Sequence, residues 1–242
     1  MALNFQFLGA KKKRNYFKPF VADSEVKSGK VFGIGFNKTG TTSLNQIMED
    51  LGFNVAPQGE QERLLTQNVL NGNYADLRDF VFQFDFFQDL PFAQGFTFVA
   101  CDALFPGSKF ILTVRNEDAW YESIYNFHRK IFEFSDKTEL TEGFFKNKNL
   151  YLADNYIYEL KRRFVTTVKN YAALEDWKLL YNEAHYKDLY RAHNDAVIKY
   201  FKNRPEDLLV VDLTNETDTA KIVNFLGLPA DSISNVPHEN KT

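Results

Sequence analysis

Cysteine is nearly absent from this sequence, because Cys101 is the only one in 242 residues. An intrachain disulfide needs two thiols, and zinc sites built on clustered cysteines need several, so both are excluded. A chain of this length can bury about 70% of its unfolded surface and needs neither for stability. A single cysteine is typical of reducing compartments, and we expect a cytoplasmic location.

Long apolar runs are also missing. The strongest ones, Phe110–Val114 and Leu208–Val211, are far shorter than the roughly 20 residues that a spanning helix needs, so no transmembrane segment is expected. The apolar residues between Leu3 and Leu8 precede the basic cluster Lys11–Arg14, the reverse of the order in a secretory signal. We interpret the basic cluster as part of a solvated arm, residues 1–30.

No charge of one sign dominates, since 29 Lys and Arg stand against 32 Asp and Glu, for a net charge of -3. Proteins that bind nucleic acid through its phosphates are usually basic, so we expect no nucleic-acid partner. Aromatic residues are abundant, with 25 Phe and 12 Tyr, which excludes a chain that is disordered as a whole. The length indicates one domain, residues 31–242, after the arm.

Short apolar runs alternate with stretches of helical periodicity. The apolar residues at 44, 47, 48 and 51, for example, follow the i, i+3, i+4, i+7 pattern of one helix face. Such alternation predicts an α/β fold with a parallel sheet and right-handed crossovers. The predicted strands are Val31–Phe36, Phe53–Val55, Phe80–Phe87, Lys109–Arg115 and Leu208–Leu213, and the predicted helices are Thr41–Leu51, Gln61–Leu70, Phe92–Leu104, Glu117–Phe134 and Thr217–Leu226.

Residues 135–205 interrupt this alternation. They are charged, rich in aromatic residues and of helical character, so we interpret them as a helical insertion over the sheet edge. Because the walls of small-molecule pockets are mostly apolar, we expect the insertion to line a substrate pocket.

The segment from Gly33 to Leu44 connects a predicted buried strand to an amphipathic helix. Backbone N–H groups at the start of that helix, its dipole, the Lys38 ammonium and several hydroxyls predict a site for an oxyanion of the phosphate type. In a Walker A loop the lysine directly follows the second glycine, whereas Lys38 precedes Gly40 by two residues, so the loop is of another kind. The candidate ligand-binding residues are Asn37, Lys38, Thr39, Gly40, Thr41, Thr42 and Ser43.

The order Lys38-Thr39-Gly40-Thr41-Thr42-Ser43-Leu44 resembles the 5′-phosphosulfate loop of the sulfotransferase family. A second segment is similar to the family's 3′-phosphate segment, because Arg115 ends a predicted strand and Ser123 follows eight residues later on the next helix. The stretches Phe225–Pro229 and Pro237–Thr242 look like the end of small bacterial sulfotransferases.

This resemblance implies a three-layer α/β fold with a P-loop-NTPase-like core and an insertion that forms the acceptor side. It implies transfer of a sulfuryl group from 3′-phosphoadenosine 5′-phosphosulfate (PAPS) to a hydroxyl or amine, with 3′-phosphoadenosine 5′-phosphate (PAP) as product. Lys38 would contact the bridging oxygen of the donor, and Thr42 with the loop amides would hold the 5′-phosphate. Arg115 and Ser123 would bind the 3′-phosphate. No metal is implied, because Lys38 and the helix terminus supply positive charge.

The chain departs from the family in one respect. Cytosolic sulfotransferases carry a glycine- and lysine-rich motif near the carboxyl terminus that folds over the donor, and no such motif is present here. Asn240 and Lys241 are candidate substitutes at the adenosine end of the donor.

Asp89 is the first candidate for the general base. It follows a predicted strand, and similar small sulfotransferases carry an Asp-X-Pro sequence at this place. Asp89 could instead cap the helix that follows, and Asp85 and His238 are the other candidates for the base. We interpret His128 and His193 as core or surface residues of helices.

Two other functions share parts of this pattern. A nucleotide-binding module would hold PAP without transferring anything, and an ATP-dependent phosphotransferase would need Walker spacing and magnesium ligands. For a sulfotransferase, the acceptor would be a hydroxyl of a small molecule, a carbohydrate or a lipid.

Overall fold

The computed structural model describes residues 29–146, 156–170, 172–213, 218–229 and 232. The basic cluster Lys11–Arg14 and the tail candidates His238, Asn240 and Lys241 lie outside the described residues, and their roles stay predictions. Within these ranges, no helix has both the length and the apolar character needed to cross a bilayer.

Strands and helices alternate over the first half of the chain. The strands are β1 (Val31–Gly33), β2 (Phe86–Gln88), β3 (Lys109–Thr113), β4 (Thr166–Lys169), β5 (Ala172–Glu175) and β6 (Leu208–Val211). The helices are α1 (Thr41–Asp50), α2 (Gln58–Leu70), α3 (Ala75–Val81), α4 (Thr97–Leu104), α5 (Glu117–Phe132), α6 (Glu142–Lys146), α7 (Tyr156–Val165), α8 (Glu183–Phe201) and α9 (Asp218–Phe225).

The central sheet has the strand order β2–β1–β3–β6, and each neighbouring pair is parallel. Phe32 of β1 pairs with Phe87 on one side and with Phe110 on the other. The chain leaves β1 toward β2 but leaves β3 toward β6, so the direction of winding reverses between β1 and β3. Open α/β sheets bind ligands in the crevice at such a point, beyond the carboxyl ends of the strands.

Apolar clusters cover both faces of this sheet. On one face, Phe32, Phe87 and Phe110 pack with buried residues of α3, α4 and α8. On the other face, Val31 and Ile111 pack with α1 and α9. The molecule therefore has three layers, and the predicted α/β fold with a parallel sheet is confirmed.

The predicted strand Phe80–Phe87 is wrong over most of its length. Its first residues belong to α3, and only the last two pair in the sheet, as the start of β2. Helix α3 buries Leu77, Phe80 and Val81, the i, i+3, i+4 spacing of one helix face, whereas Phe82 is 55% exposed. Alternating phenylalanines favour a strand by propensity, but burial of the helical face decides the local structure.

The strands predicted from Val31, Lys109 and Leu208 end two or three residues earlier than expected, and other elements are also shorter. The Phe53–Val55 segment contributes an isolated parallel bridge from Val55 to Phe86. The helix predicted to begin at Phe92 begins at Thr97, because turns through Gly95, at a φ of 52°, come first.

The prediction that residues 135–205 are helical is incomplete. Helices α6, α7 and α8 lie there, but β4 and β5 form an antiparallel hairpin that follows α7 directly. The hairpin is exposed on nearly all its residues, so no strong apolar alternation marks it in the sequence. Tyr186 and Tyr190 of α8 join Trp120 and Ile124 of α5 in a separate apolar core, the core of the insertion, beside the sheet.

Candidate active site

The loop after β1 approaches the carboxyl edge of the sheet through a tight backbone path. Gly40, at a φ of 98°, precedes the first residue of α1. Lys38 has a φ of 70°, which is uncommon for a residue with a side chain. Strained backbone of this kind clusters at ligand sites, so it supports the predicted role of this loop.

Contacts with β3 fix the position of the loop. A Cβ at Gly35 would lie 2.1 Å from Oγ1 of Thr113 and 2.4 Å from its carbonyl oxygen, so only glycine fits there. The buried hydroxyl of Thr39 lies 2.6 Å from Oγ1 of Thr113 and donates to the carbonyl oxygen of Phe36. The Thr39 hydroxyl therefore holds the loop in shape, and this residue would meet a ligand through its backbone.

An aromatic pair ties the loop to the end of β3. The indole N–H of Trp120 donates to the carbonyl oxygen of Asn37 at 3.0 Å, and the Trp120 ring stacks on Tyr190 with centroids 4.5 Å apart. The Tyr190 hydroxyl accepts from the backbone N–H of Arg115 at 2.8 Å and is 3.0 Å from the Arg115 carbonyl oxygen. The stacked rings of Trp120 and Tyr190 thus fix the backbones of Asn37 and Arg115 relative to each other.

Lys38 lies in a cluster of positive charge. Its ammonium nitrogen is 4.4 Å from the centroid of the Phe127 ring on α5. Burial is the main cause that lowers the pKa of Lys38, and the charges of Arg115 and Lys130 lower it further, while Asp89 opposes them. Two further cations within electrostatic range of Lys38 favour an anionic ligand beside it.

Arg115 and Ser123 lie on two connected elements. Arg115 follows β3 at the carboxyl edge of the sheet, and Ser123 lies half-buried on α5. Helix α5 begins after Asn116, whose side chain accepts from the backbone N–H groups of Asp118 and Ala119. This cap fixes the start of the helix beside Arg115.

Asp89 directly follows β2 and is 5% exposed. Its φ is 60°, and its carboxylate accepts from the backbone N–H of Leu90 at 2.9 Å and from the Thr41 hydroxyl. Burial is the main cause that raises the pKa of Asp89 to about 7, with help from Glu62, while those hydrogen bonds and Lys38 oppose the shift. A carboxyl group with a pKa near neutrality is suited to general-base catalysis.

The hydroxyl residues of the loop have different exposures. Thr41 is buried and its hydroxyl is engaged with Asp89, whereas Thr42 is exposed and Ser43 is half-buried at the start of α1. Thr42 is therefore the loop hydroxyl most open to a ligand.

A cavity of about 370 Å³ begins beside Asn37 and Asp89 and extends to the insertion. Its walls are mostly apolar and come from the loop, from α5, from α7 and from α8, with Phe36, Trp120, Ile124, Leu160, Phe164 and Leu189 among them. Phe96, 72% exposed, belongs to the same wall. The cavity thus joins the predicted base and phosphate loop to the predicted substrate wall.

A family model of the sulfotransferase domain matches residues 30–242. This chain belongs to the sulfotransferase family. A search of curated proteins finds no match. Membership of this family indicates a transferase that moves sulfuryl groups, in general to small molecules. The P-loop-like parallel sheet agrees with this assignment.

Asp85, one of the two alternative bases of this sulfotransferase, does not line the cavity. Asp85 precedes β2, at the opposite end of that strand from Asp89, where its carboxylate is 4.0 Å from Lys30 and accepts from the backbone N–H of Asn54. Nε2 of His193 is 2.8 Å from the carbonyl oxygen of Ile34, and Nε2 of His185 is 2.6 Å from that of Phe164. These contacts give both histidines a structural role.

Sequence reasoning missed one polar pair in the cavity wall of the sulfotransferase. Lys161 of α7 is 1% exposed, and its Nζ lies 3.3 Å from both ring nitrogens of His128 on α5. Lys161 lies four residues after Ile157 and four before Val165, both fully buried, so it occupies the apolar stripe of α7. A lysine at an apolar position of a helix is the signal in the sequence that could have identified Lys161.

Metal binding has no support from side-chain clustering in the described part of the sulfotransferase. There, no three His, Cys, Asp or Glu side chains are grouped closely enough to hold an ion. Independence of metal stays a prediction.

Proposed function

We propose that this sulfotransferase uses PAPS as its donor and passes the sulfuryl group to a hydroxyl, or an amine, of a small molecule in the cavity. The observation that carries the proposal is the position of Asp89. It lines the cavity, and the Thr41 hydroxyl at the start of the loop helix donates to it. A base there faces the acceptor on one side and the phosphate loop on the other.

The residues around Lys38 suit a ligand with two separated phosphates. Lys38 and the amides of Gly40, Thr41 and Thr42 belong to the loop after β1 and the start of α1, whereas Arg115 follows β3 and Ser123 lies on α5. Arginine forms strong charge-assisted pairs with phosphate oxygens, and the start of α1 adds the positive end of a helix dipole. This donor set fits PAPS, which supplies the activated sulfuryl group when bound.

In the proposed reaction, Asp89 accepts the proton of the acceptor hydroxyl as that oxygen forms the new S–O bond. The S–O bond to the 5′-phosphate breaks, and its electron pair remains on the phosphate oxygen that becomes part of PAP. Lys38 stabilises the charge that develops on this oxygen. Apolar walls keep water from competing with the acceptor, and no metal ion is required for these roles.

The test is a transfer assay with labelled PAPS and pooled acceptors, comprising phenols, alcohols, sugars and hydroxylated lipids. We expect labelled product with at least one pool and no loss of transfer in EDTA. PAP binding without transfer to any pool would support a non-catalytic binding module instead. Magnesium-dependent turnover of ATP, abolished by EDTA, would support a phosphotransferase.

A cytoplasmic location is a separate part of the proposal. It rests on the single, fully buried Cys101, whose thiol has its pKa raised by burial and is suited to a reducing compartment. Cell fractionation with an antibody against the chain tests it, and recovery from a membrane or secreted fraction would contradict it.

A further inference from the structure

The buried amino group of Lys161 has no counter-ion among the described residues. Apart from His128, its ammonium faces aromatic rings, with the centroids of Phe132, Tyr181 and Phe164 at 5.1, 5.3 and 5.8 Å. Burial alone lowers the pKa of Lys161 to about 7, and among the described residues no carboxylate counters it. His128 gives no charge compensation, because burial and the charges of Lys161 and Lys38 lower its pKa and keep it neutral.

A buried ammonium without a counter-ion is costly, and replacing it with an apolar side chain is often neutral or stabilising. Its presence in a cavity wall is therefore informative about what fills the cavity. An anionic group of a ligand would supply the missing partner.

Gln94 provides a second, independent sign of a polar ligand. It is 5% exposed and lines the same cavity, and neither its amide nitrogen nor its amide oxygen has a hydrogen-bond partner among the described residues. Buried amides are normally satisfied, so both atoms are available to a bound molecule.

The cavity wall offers Lys161 no counter-charge. Asp89 is the single carboxylate among the described residues that line the cavity, and it does not act on Lys161. The Asp89 carboxylate is already engaged by the Leu90 N–H and the Thr41 hydroxyl. Between these polar groups the wall is apolar, which suits an aromatic ring or an alkyl chain.

We propose that the acceptor is a small hydroxy acid whose apolar body fills the cavity, whose hydroxyl reaches Asp89 and whose carboxylate pairs with Lys161. This inference rests on the proposed function and names its acceptor class. The sulfated product would carry two anionic groups, one of them made by the reaction.

The experiment compares hydroxy acids with their primary amides, which have nearly the same shape but no charge. Suitable pairs are 3-(4-hydroxyphenyl)propanoate and its amide, and an ω-hydroxy alkanoate and its amide. Binding to the PAP complex is measured by calorimetry for the wild type and for Lys161→Met. Lys199→Met, at an exposed lysine of α8, is the matched control.

We expect at least one acid to bind the wild type about tenfold or more tightly than its amide, the effect of one charge-assisted hydrogen bond. Lys161→Met should remove that preference and leave amide binding nearly unchanged, whereas Lys199→Met should keep it. Lys161→Met should fold, since it removes a buried charge, and the acid-to-amide ratio of the wild type tests the inference without any variant.

Equal binding of acids and amides, failure of every acid to bind, or a preference that survives Lys161→Met would each overturn the inference. Weaker binding of PAPS but not of PAP by Lys161→Met would assign Lys161 to the sulfuryl group of the donor and also overturn it. If neutral hydroxyl compounds are sulfated and Lys161→Met leaves that transfer unchanged, the proposed function stands and the inference about the acceptor is overturned. Lys161-dependent binding of acids without transfer would retain the cavity assignment and contradict the proposed reaction.

Discussion

The carboxyl group of Asp89 has a pKa of about 7, because burial disfavours its charge more than its hydrogen bonds and Lys38 favour it. A general base acts when deprotonated, so the active fraction increases as the pH rises through this value. We therefore expect kcat/KM for transfer to an uncharged hydroxyl compound to rise between about pH 6 and pH 8 and then to level off. Initial rates in a constant-ionic-strength buffer series provide the measurement.

The Asp89→Asn variant shows whether Asp89 causes that rise. Asparagine keeps the size and part of the hydrogen bonding but cannot accept the proton, so transfer should fall by about 10²-fold or more. The residual activity should lack the step near pH 7, while PAP affinity stays within a few-fold of the wild type. Wild-type transfer by a folded Asp89→Asn protein would make Asp89 a structural residue and would direct attention to His238.

Lys38 and Arg115 should respond differently to loss of charge. Arg115→Ala should weaken PAP binding by about tenfold or more, since one charge-assisted phosphate pair is lost. Lys38→Met should change PAP binding less and lower the transfer rate by about 10²–10³-fold, because its charge acts on the leaving oxygen. Calorimetry with PAP and single-turnover rates with PAPS separate the two effects.

Arg129→Ala serves as the control for net charge. It removes an exposed cation from α5. It should reproduce neither the loss of PAP binding nor the loss of transfer. The same loss in Arg129→Ala as in Arg115→Ala would mean that general positive potential, not a specific pair, binds the 3′-phosphate.

At the scale of elements, the junction of the loop with β3 has no room for an added Cβ. Gly35→Ala places a Cβ 2.4 Å from the Thr113 carbonyl oxygen, a backbone atom that cannot move aside. It should destabilise the protein by about 1–3 kcal/mol or more. Gly59→Ala, in α2 with open space around the new Cβ, should be neutral or stabilise by roughly 0.5 kcal/mol.

Denaturant unfolding curves for both glycine variants measure these effects. The same Gly→Ala change should lower the free energy of unfolding at position 35 but not at position 59, because only the Cβ at position 35 would collide with β3. An unchanged midpoint for Gly35→Ala would show that β1 and β3 can separate locally, which would weaken the description of a rigid loop.

The parallel sheet and the position of the Lys38 loop at its edge could be predicted because each depends on local pattern. Lys38, Gly40 and Arg115 follow short apolar strands at their carboxyl ends, and parallel strands bring those ends to one edge of the sheet. The prediction of a strand at Phe80–Phe87 failed because two periodicities overlap there, and packing against the sheet selects the helical one.

The acceptor cavity could be predicted only in outline. Aromatic richness indicated an apolar wall in residues 135–205, but the pairing of Lys161 with His128 joins two helices whose relative placement no local pattern specifies. The hairpin of β4 and β5 was missed for a related reason, since its residues are exposed and carry no marked alternation.

At the scale of the whole molecule, α8 links the apolar core of the insertion to the apolar cluster on one face of the sheet. Tyr186 and Tyr190 pack in the core of the insertion, and Val197 and Phe201 pack against the sheet. Helix α8 has 19 residues, which at about 1.5 Å per residue is long enough to reach both. The cavity lies beside this helix, so donor and acceptor sides should unfold together.

The free energy of unfolding of the whole chain should therefore increase when the donor site is occupied. PAP at about 100 times its Kd adds about 2.7 kcal/mol to the free energy of unfolding. For a chain of this size, that raises Tm by roughly 5–10 °C. Adenosine 5′-monophosphate, which lacks only the 3′-phosphate, and ATP should give smaller shifts in a thermal-shift assay. Equal shifts for PAP and the monophosphate would contradict a 3′-phosphate site at Arg115.

The hydrogen bond from the Trp120 indole to the Asn37 carbonyl oxygen has an optical consequence. The chain contains two tryptophans, and the other, Trp177, packs between the rings of Phe145 and Tyr158 in the insertion. Indole emission depends on the polarity and hydrogen bonding around the ring. A Trp177→Phe protein would carry one emitter, in contact with both the loop and the cavity, so its fluorescence could follow donor and acceptor occupancy without an added dye.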